Sequence, residues 1–585
     1  MIALLAVGAV TLGTLGLGTW GVRFVRTTSD LLVASRAVTP WWNAAAISGE
    51  YLSAASFLGI AGLEMQVGAS ALWQSLGFTA GYLALLLFVA APLRRYGSYT
   101  IPDFAEARLH SPAIRLLAAA IVLVIGGFYL VPQLKGAGLA LNVVIGSPYW
   151  VGVAVVAVIV AINVSIGGMR GITYVQAFQF WLKLFAIAVP ICLLLIHFGG
   201  LPERSALFGE QFPHAGASPI TIRLSSPQLV EFPQAGSFTV AGGAVVHVSA
   251  GKSVTLPANV AVRIPAGGIV PVAQGTQALR GSRWSRPIGG TGEGAPLLVY
   301  SLLIATFLGT MGLPHVLVRF YTNPDGHAAR RTTVRVLGLL SLFYLFPSLY
   351  GAMGRALTPQ LYTTGQTDDV VLTLPHAAWP GTAGTILTAV TCAGAFAAFL
   401  STSSGLLVSI AGTLSHDVWP KVRHSVPSGV ATRRRHFRTA AAGAMVIPAL
   451  IALVARQVDI SILVGWAFAI AASTFCPLFL LGIWWTGLTA RGAACGMVVG
   501  TLIATSAIFV GLALGEPTSG ALALLQQPAI VSVPVAFLTM ITVSLTDRHR
   551  IPDVDAQMVA LHAPEGLGLR LADEVDTSLG ASERA

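Results

Sequence analysis

Residues 43–59 read NAAAISGEYLSAASFLG, and the placement of this stretch decides the fold. With its flanks it is apolar enough to cross a bilayer, which takes about 20 residues. Yet Ser48-Gly49 interrupts a run of small helix formers, and Glu50 sets a carboxyl inside the segment. In hydrocarbon every backbone N–H and C=O must be satisfied from within the protein. A Gly- and hydroxyl-rich interruption inside a span therefore marks a place where the helix opens around a ligand. The rest of the chain supports the membrane reading. Of its 585 residues 55% are apolar and only 10% charged, mean hydropathy is +0.76, and soluble domains carry roughly 25% charge. That composition excludes a soluble enzyme, and the helical pattern excludes an outer-membrane barrel. The expected class is an all-α polytopic membrane protein.

Apolar runs bounded by charges, Pro and Gly predict thirteen transmembrane helices: 2–22, 42–66, 70–92, 114–145, 148–168, 172–198, 296–314, 334–354, 384–414, 438–455, 459–485, 491–514 and 525–545. The first lacks a basic leader and a small-x-small cleavage site, so it reads as a retained span. Loops after the odd-numbered spans hold 21 Lys and Arg, among them Arg94, Arg95, Arg330 and Arg331, whereas the short loops of the other side hold Arg355 and Arg456. The positive-inside rule then puts the N-terminus outside and the C-terminus in the cytoplasm. The net charge of +11 reflects this loop placement and gives no reason to expect a nucleic-acid partner. Cys192, Cys392, Cys476 and Cys495 lie in apolar segments without CxxC spacing, which points to neither a disulfide framework nor a zinc site. Residues 199–295 form a non-membrane insert, and the alternation of apolar and polar residues from Gly236 to Val272 predicts a small β-rich extracellular module. Residues 546–585 read as a cytoplasmic tail, mostly disordered.

Two further spans carry interruptions. Span 7 ends in GTMGLPH (309–315), where Gly312 and Pro314 favour a break, and span 9 carries AFLSTSSG (398–405). Taken singly, small residues serve close helix packing and hydroxyls bond back to their own helix. Together they offer a site for a hard monovalent cation such as Na+, which wants several neutral oxygens. Ala398, Ser401 and Thr402 share one helix face, and so do Ala44 and Ile47 just before the interruption. The predicted set is the carbonyls of Ala44, Ile47 and Ala398 with the hydroxyls of Ser401 and Thr402. Glu50 either lies near the cavity, where it tunes cation affinity or takes part in proton coupling, or pairs with a buried base such as Lys135 or Lys183. His315 reads equally as an interfacial residue or a solute contact, and Thr173 and Gln176 read as polar wall residues or, preferably, as helix-packing residues.

The runs ISGEYLSAASFLGI (47–60), GGMRGITYVQ (167–176), GLPHVLVRFYT (312–322) and AFAIAAS (467–473) resemble the sodium:solute symporters, in particular the cation/acetate symporter branch. The resemblance covers about 28–510 apart from the insert. It implies a LeuT-type 5+5 inverted-repeat core, with 42–198 (spans 2–6) and 296–485 (spans 7–11) as the repeats, and with 1–22 and 491–545 peripheral. By motif position the family's sodium site falls on the same five groups. Ala46 stands where some relatives have an aspartate. The function implied is Na+-coupled symport of a small, acetate-like monocarboxylate across the plasma membrane, with no cofactor and Na+ as the coupling ion. The solute's carboxylate is expected at the breaks, at Ser48, Gly49 and Glu50 and at Gly309, Gly312 and Pro314, where a helix start carries partial positive charge. The alternatives are a proton-coupled carrier, a carrier of proline, pyruvate or a sugar, and a transporter-like nutrient sensor. A membrane enzyme is disfavoured, since the sequence offers no nucleophile-base pair, metal cluster or phosphate loop.

Overall fold

The structure, a computed structural model, describes residues 2–21, 38–240, 243, 245–289, 294–420, 430–515, 520–547 and 554–563. Basic residues that set the expected orientation at Arg23, Arg26, Arg36, Lys421, Arg423, Arg548 and Arg550 lie outside these, as does the tail from 564 onward.

Helix α1 spans Ile2–Gly21, and α2 spans Pro40–Tyr51. A π-helical turn Ala55–Gly59 leads into α3, Ile60–Val67, and α4 covers Leu72–Phe88. Short helices Ala90–Tyr96 and Ile101–Leu109 lead to α5, Pro112–Ile145, and α6, Tyr149–Phe198. After the insert come α7 (Ala295–Thr310), α8 (Pro314–Val318), α9 (Gly326–Phe343), α10 (Leu345–Leu357), α11 (Val370–Ala378) and α12 (Thr382–Gly412). The chain continues through α13 (Val430–Ala444), α14 (Val446–Val454), α15 (Ile460–Trp484), α16 (Ala490–Ala513), α17 (Ala529–Thr546) and α18 (Val554–His562).

Among the described residues twelve stretches, not thirteen, are long and apolar enough to cross a membrane. The difference has one cause. Ala55–Phe88 counts as a single stretch, whereas α2, with 12 residues, is too short to count alone. The expected boundary between spans 2 and 3 is nevertheless present at Gly68, whose backbone leaves helical geometry at φ 62° and ψ −135°. Only glycine fits there, because a Cβ would lie 1.9 Å from the Trp284 carbonyl oxygen. The apolar segment of α15 is 94% buried and that of α12 72%, whereas those of α1, α16 and α17 are a third buried or less. The core is thus α12 packed along α6 and α2, with α15 against α7 and α5.

The insert is β-rich, with a four-stranded sheet in the order β1-β6-β3-β4 and a three-stranded sheet β5-β2-β7. Its strands are Ile220–Arg223, Gln228–Glu231, Gly236–Val240, Val245–Val248, Ser253–Leu256, Ala261–Ile264 and Val272–Ala273, all paired antiparallel. The first two precede the predicted start at Gly236, because four-residue strands show too few alternations to be read. Alternate residues Val230, Phe238, Leu256, Val262 and Ile264 are buried. The module is fastened to the helices by Trp284, whose Nε1 donates to Glu64 O (2.8 Å) and Met65 O (3.1 Å) at the end of α3. The Arg355 guanidinium lies 5.6 Å from the Trp284 ring and donates to Leu279 O at 2.7 Å.

Two segments outside the expected spans are also helical. The stretch 355–383, passed over as a loop, folds into Gln360–Thr364, Thr367–Asp369 and α11. The tail holds an ordered helix, α18, with Leu561 fully buried and His562 Nε2 2.8 Å from Ile483 O. Neither segment has an apolar run long enough to stand out by periodicity. The attachment of the insert is testable by unfolding in detergent. Trp284→Ala is expected to cost about 3–5 kcal/mol, and Trp284→Phe, which keeps a ring and loses the donor, about 1 kcal/mol.

Candidate functional site

The interruption in the quoted stretch falls four residues later than the sequence suggests. Helix α2 runs unbroken through Ser48 and Gly49 to Tyr51, and Leu52 N still donates to Ser48 O at 3.0 Å. Gly49 is there for close packing, since a Cβ would lie 2.2 Å from Gln176 O on α6. The break is at Leu52–Ser53, and the helix resumes past Ala54, whose N–H donates to Gln133 Oε1 at 2.8 Å.

A break in mid-membrane releases the carbonyls of the preceding turn, and these find side-chain donors. Thr402 Oγ1 donates to Glu50 O at 2.6 Å. The Ser401 hydroxyl, with one proton to give, lies 2.7 Å from Gly49 O and 3.0 Å from Ala398 O. Lys183 Nζ donates to Leu52 O at 2.8 Å, to Ser401 Oγ at 2.6 Å and to Gly49 O. Of the five expected cation ligands, then, Ala398, Ser401 and Thr402 face the break. Ala44 and Ile47 lie in the regular part of α2, and the carbonyls that meet the hydroxyls are those of Gly49 and Glu50.

The Glu50 carboxylate pairs with neither lysine that was expected. Arg319 Nε donates to Glu50 Oε2 at 2.6 Å, with the two side chains 1% and 2% exposed. The same guanidinium donates to Thr173 Oγ1 (2.7 Å) and to Gln176 Oε1, and Gln176 Nε2 donates to Ser401 O at 2.8 Å. Thr173 and Gln176, read as packing residues, position this arginine. The bridge joins α2, α6 and the turn after α8 on the Pro40 side of the break. On the far side Lys135 Nζ donates to Asp368 Oδ2 (3.1 Å) and Val458 O (2.6 Å). Gln66 Nε2 donates there to Thr367 Oγ1 (2.7 Å) and Asp459 Oδ2 (3.0 Å). Buried charge pairs therefore close the helix bundle at both ends. Next to the far pair, burial and the Asp368 charge push the Asp369 carboxyl up to about 7.

The second break lies between α7 and α8, at Met311–Leu313. Gly309 and Gly312 are pressed against α15, with a Cβ at either 2.5 Å from a carbonyl oxygen of Phe468 or Ala471. Between the two breaks is a buried cluster of packed rings. Tyr51 and Tyr82 have centroids 4.7 Å apart, Tyr51 and Phe468 6.2 Å, Phe468 and Tyr129 5.7 Å, and Tyr129 and His315 5.1 Å. Tyr51 Oη is bound to Thr310 Oγ1 at 2.9 Å. Tyr82 Oη and both ring nitrogens of His315 are buried with no partner among the described residues. Buried polar groups are nearly always satisfied, so these atoms are open to water or a ligand. Of the six residues expected to receive solute, Glu50 is committed to Arg319 and the three glycines to helix contacts. Pro314 is buried at the start of α8, and Ser48 is buried in α2 with its Oγ, like Tyr82 Oη, without a partner among the described residues. Sequence reasoning missed Tyr82, Tyr129 and Phe468; the available signal was tyrosine deep inside an apolar span, where its hydroxyl needs a partner.

Comparison with known proteins follows this geometry. The pattern that defines the Sodium:solute symporter family matches residues 31–214 and 259–500, and the gap falls within the β module. An uncharacterized symporter of Bacillus subtilis (strain 168), YwcA, is 29% identical over 522 residues, 88% of each chain. Among solved structures, a substrate-bound, outward-open Na+-coupled sialic acid symporter superposes with TM-score 0.66 at 14% identity, covering 94% of this chain and 99% of its own. The nucleobase-cation symporter Mhp1 in a closed conformation gives TM-score 0.51 at 12% identity, over 92% and 99%. Both are LeuT-fold transporters, and the chain shares that fold.

Two predictions follow from the closing pairs. Glu50→Ala and Arg319→Ala are each expected to cost about 3–5 kcal/mol, because either leaves a buried charge unpaired. The double variant should cost clearly less than the two together in a double-mutant cycle. Asp369 holds its proton to a higher pH in the folded protein than its ordinary 3.8. The stability that its neutral form contributes is therefore complete below that value and is lost as pH rises through about 7. Asp369→Asn should flatten the thermal-stability profile across this interval and exceed the wild type above it.

Proposed function

From the premise that the chain belongs to the sodium:solute symporter family, we propose that it imports a small, acetate-like monocarboxylate together with a monovalent cation. The observation that carries the solute is the set of unpartnered donors, Tyr82 Oη and the His315 ring, enclosed by Tyr51, Phe78, Tyr129 and Phe468. One O–H from Tyr82, an N–H from the His315 ring and neighbouring aromatic faces suit a carboxylate with a short apolar tail. The helix starts at Ala55 and Pro314 add partial positive charge at the two breaks. A sugar would need many more hydrogen-bonding partners than this cluster offers.

Na+ is the ion that the family resemblance implies, held by carbonyls and hydroxyls where α2 meets α12. A second reading, proton coupling, is favoured by one observation: Lys183 Nζ already takes three of the oxygens at that junction. In either case one cation moving with one monocarboxylate is electroneutral. A membrane potential, worth about 2.3 kcal/mol per charge per 100 mV, then contributes nothing directly. The arginine distribution supports a cytoplasmic C-terminus in the cell membrane.

Uptake of labelled acetate into proteoliposomes tests both halves of this reading. Propionate and pyruvate should compete, while proline and glucose should not; competition in the opposite order would replace the solute class. Exchange of Na+ for choline, with and without an imposed pH gradient, separates the two cations. Tyr82→Phe and His315→Ala should each raise KM for acetate with the protein still folded.

A further inference from the structure

Lys183 lies in the middle of α6 and is wholly buried. An ammonium has three N–H donors and no acceptor. All three are used, on Leu52 O (2.8 Å), Ser401 Oγ (2.6 Å) and Gly49 O. Two of these oxygens are carbonyls released by the break in span 2, and the third is a hydroxyl expected to hold Na+. The remaining groups of the expected set are also engaged. Ser401 places its proton toward Gly49 O and Ala398 O, Thr402 donates to Glu50 O, and Ala44 and Ile47 belong to the regular α2 helix.

An alkali ion needs several oxygens turned toward it at once. Here the hydroxyl oxygen and carbonyls that would supply them already surround a positive charge at hydrogen-bond distance. A second cation has neither room nor ligands, and it would meet like charge in a medium where charges are poorly screened. Nor does any carboxylate stand ready to favour it. Ala46 is not acidic, and Glu50 is held by Arg319 at 2.6 Å.

We propose that the Lys183 ammonium is the resident cation of the junction between α2 and α12, and that it excludes Na+ from this position. The site that the family motif assigns to a free ion is filled in this chain by a tethered one. The inference does not depend on which solute is carried, and it sharpens the choice of cation left by the functional reading.

The test is ion binding, not transport. Purified wild-type protein in detergent is compared in NaCl and in choline chloride by thermal unfolding and by retention of 22Na+. Equal unfolding temperatures and no saturable retention are expected. Lys183→Met should then acquire saturable Na+ binding at least about tenfold tighter than the wild type, equivalent to about 1.4 kcal/mol, and adding Ser401→Ala should abolish it. Saturable Na+ binding by the wild type, weakened by Ser401→Ala alone, would overturn the proposal. So would a folded Lys183→Met protein that remains blind to Na+. If Lys183→Met does not fold, the wild type and Ser401→Ala decide the matter between them. A different transported solute would overturn the carboxylate reading and leave these binding results unchanged.

Discussion

A helix that breaks inside hydrocarbon must find donors for the carbonyls it frees, and this requirement organises the centre of the molecule. The carbonyls of Gly49, Glu50 and Leu52 lose the ladder and are met by Ser401, Thr402 and Lys183. Those donors come from α12 and α6, so the break fixes how three helices pack. Small residues at the contacts permit the approach: Gly405 of α12 lies directly against the Glu50 side chain, and Gly49 against the α6 backbone.

The same packing explains what the sequence made legible. Interruptions, hydroxyl clusters and their spacing are local, and they pointed to span 2, the end of span 7 and span 9 as the elements that meet. Which carbonyl opens is not local. Ser48-Gly49 looks like a breaker by composition, yet its glycine is consumed by contact with α6, and the chain opens at Leu52–Ser53, where Gln133 is available to cap the next turn. The pairing of Glu50 with Arg319 was equally out of reach, because 269 residues separate them. A buried carboxyl in a span announces that it needs a partner without saying which of several buried bases will come close.

Closure at both ends by buried pairs has a mechanical consequence. Parting the helices around the ring cluster would mean separating Glu50 from Arg319 on one side and Lys135 from Asp368 on the other. Separation in water-free surroundings is costly unless water enters as the gap opens. The β module, joined to the end of α3 by Trp284, is attached to the half of span 2 that packs against Asp368.

Charge counting links the ring cluster to the junction below it. Glu50 and Arg319 cancel, and with Lys183 counted as an ammonium the buried centre carries one positive charge. A buried charge without a counter-ion is unfavourable, and the partial charges of the two helix starts have the same sign. On the reading proposed above, a monocarboxylate entering beside Tyr82 and His315 would supply the missing negative charge, whereas a neutral solute would leave it uncompensated. A free Na+ in addition would restore the imbalance that the anion removes. The tethered cation and the anionic solute thus explain each other. An arrangement of this kind selects for a single negative charge before any side chain reads the rest of the molecule.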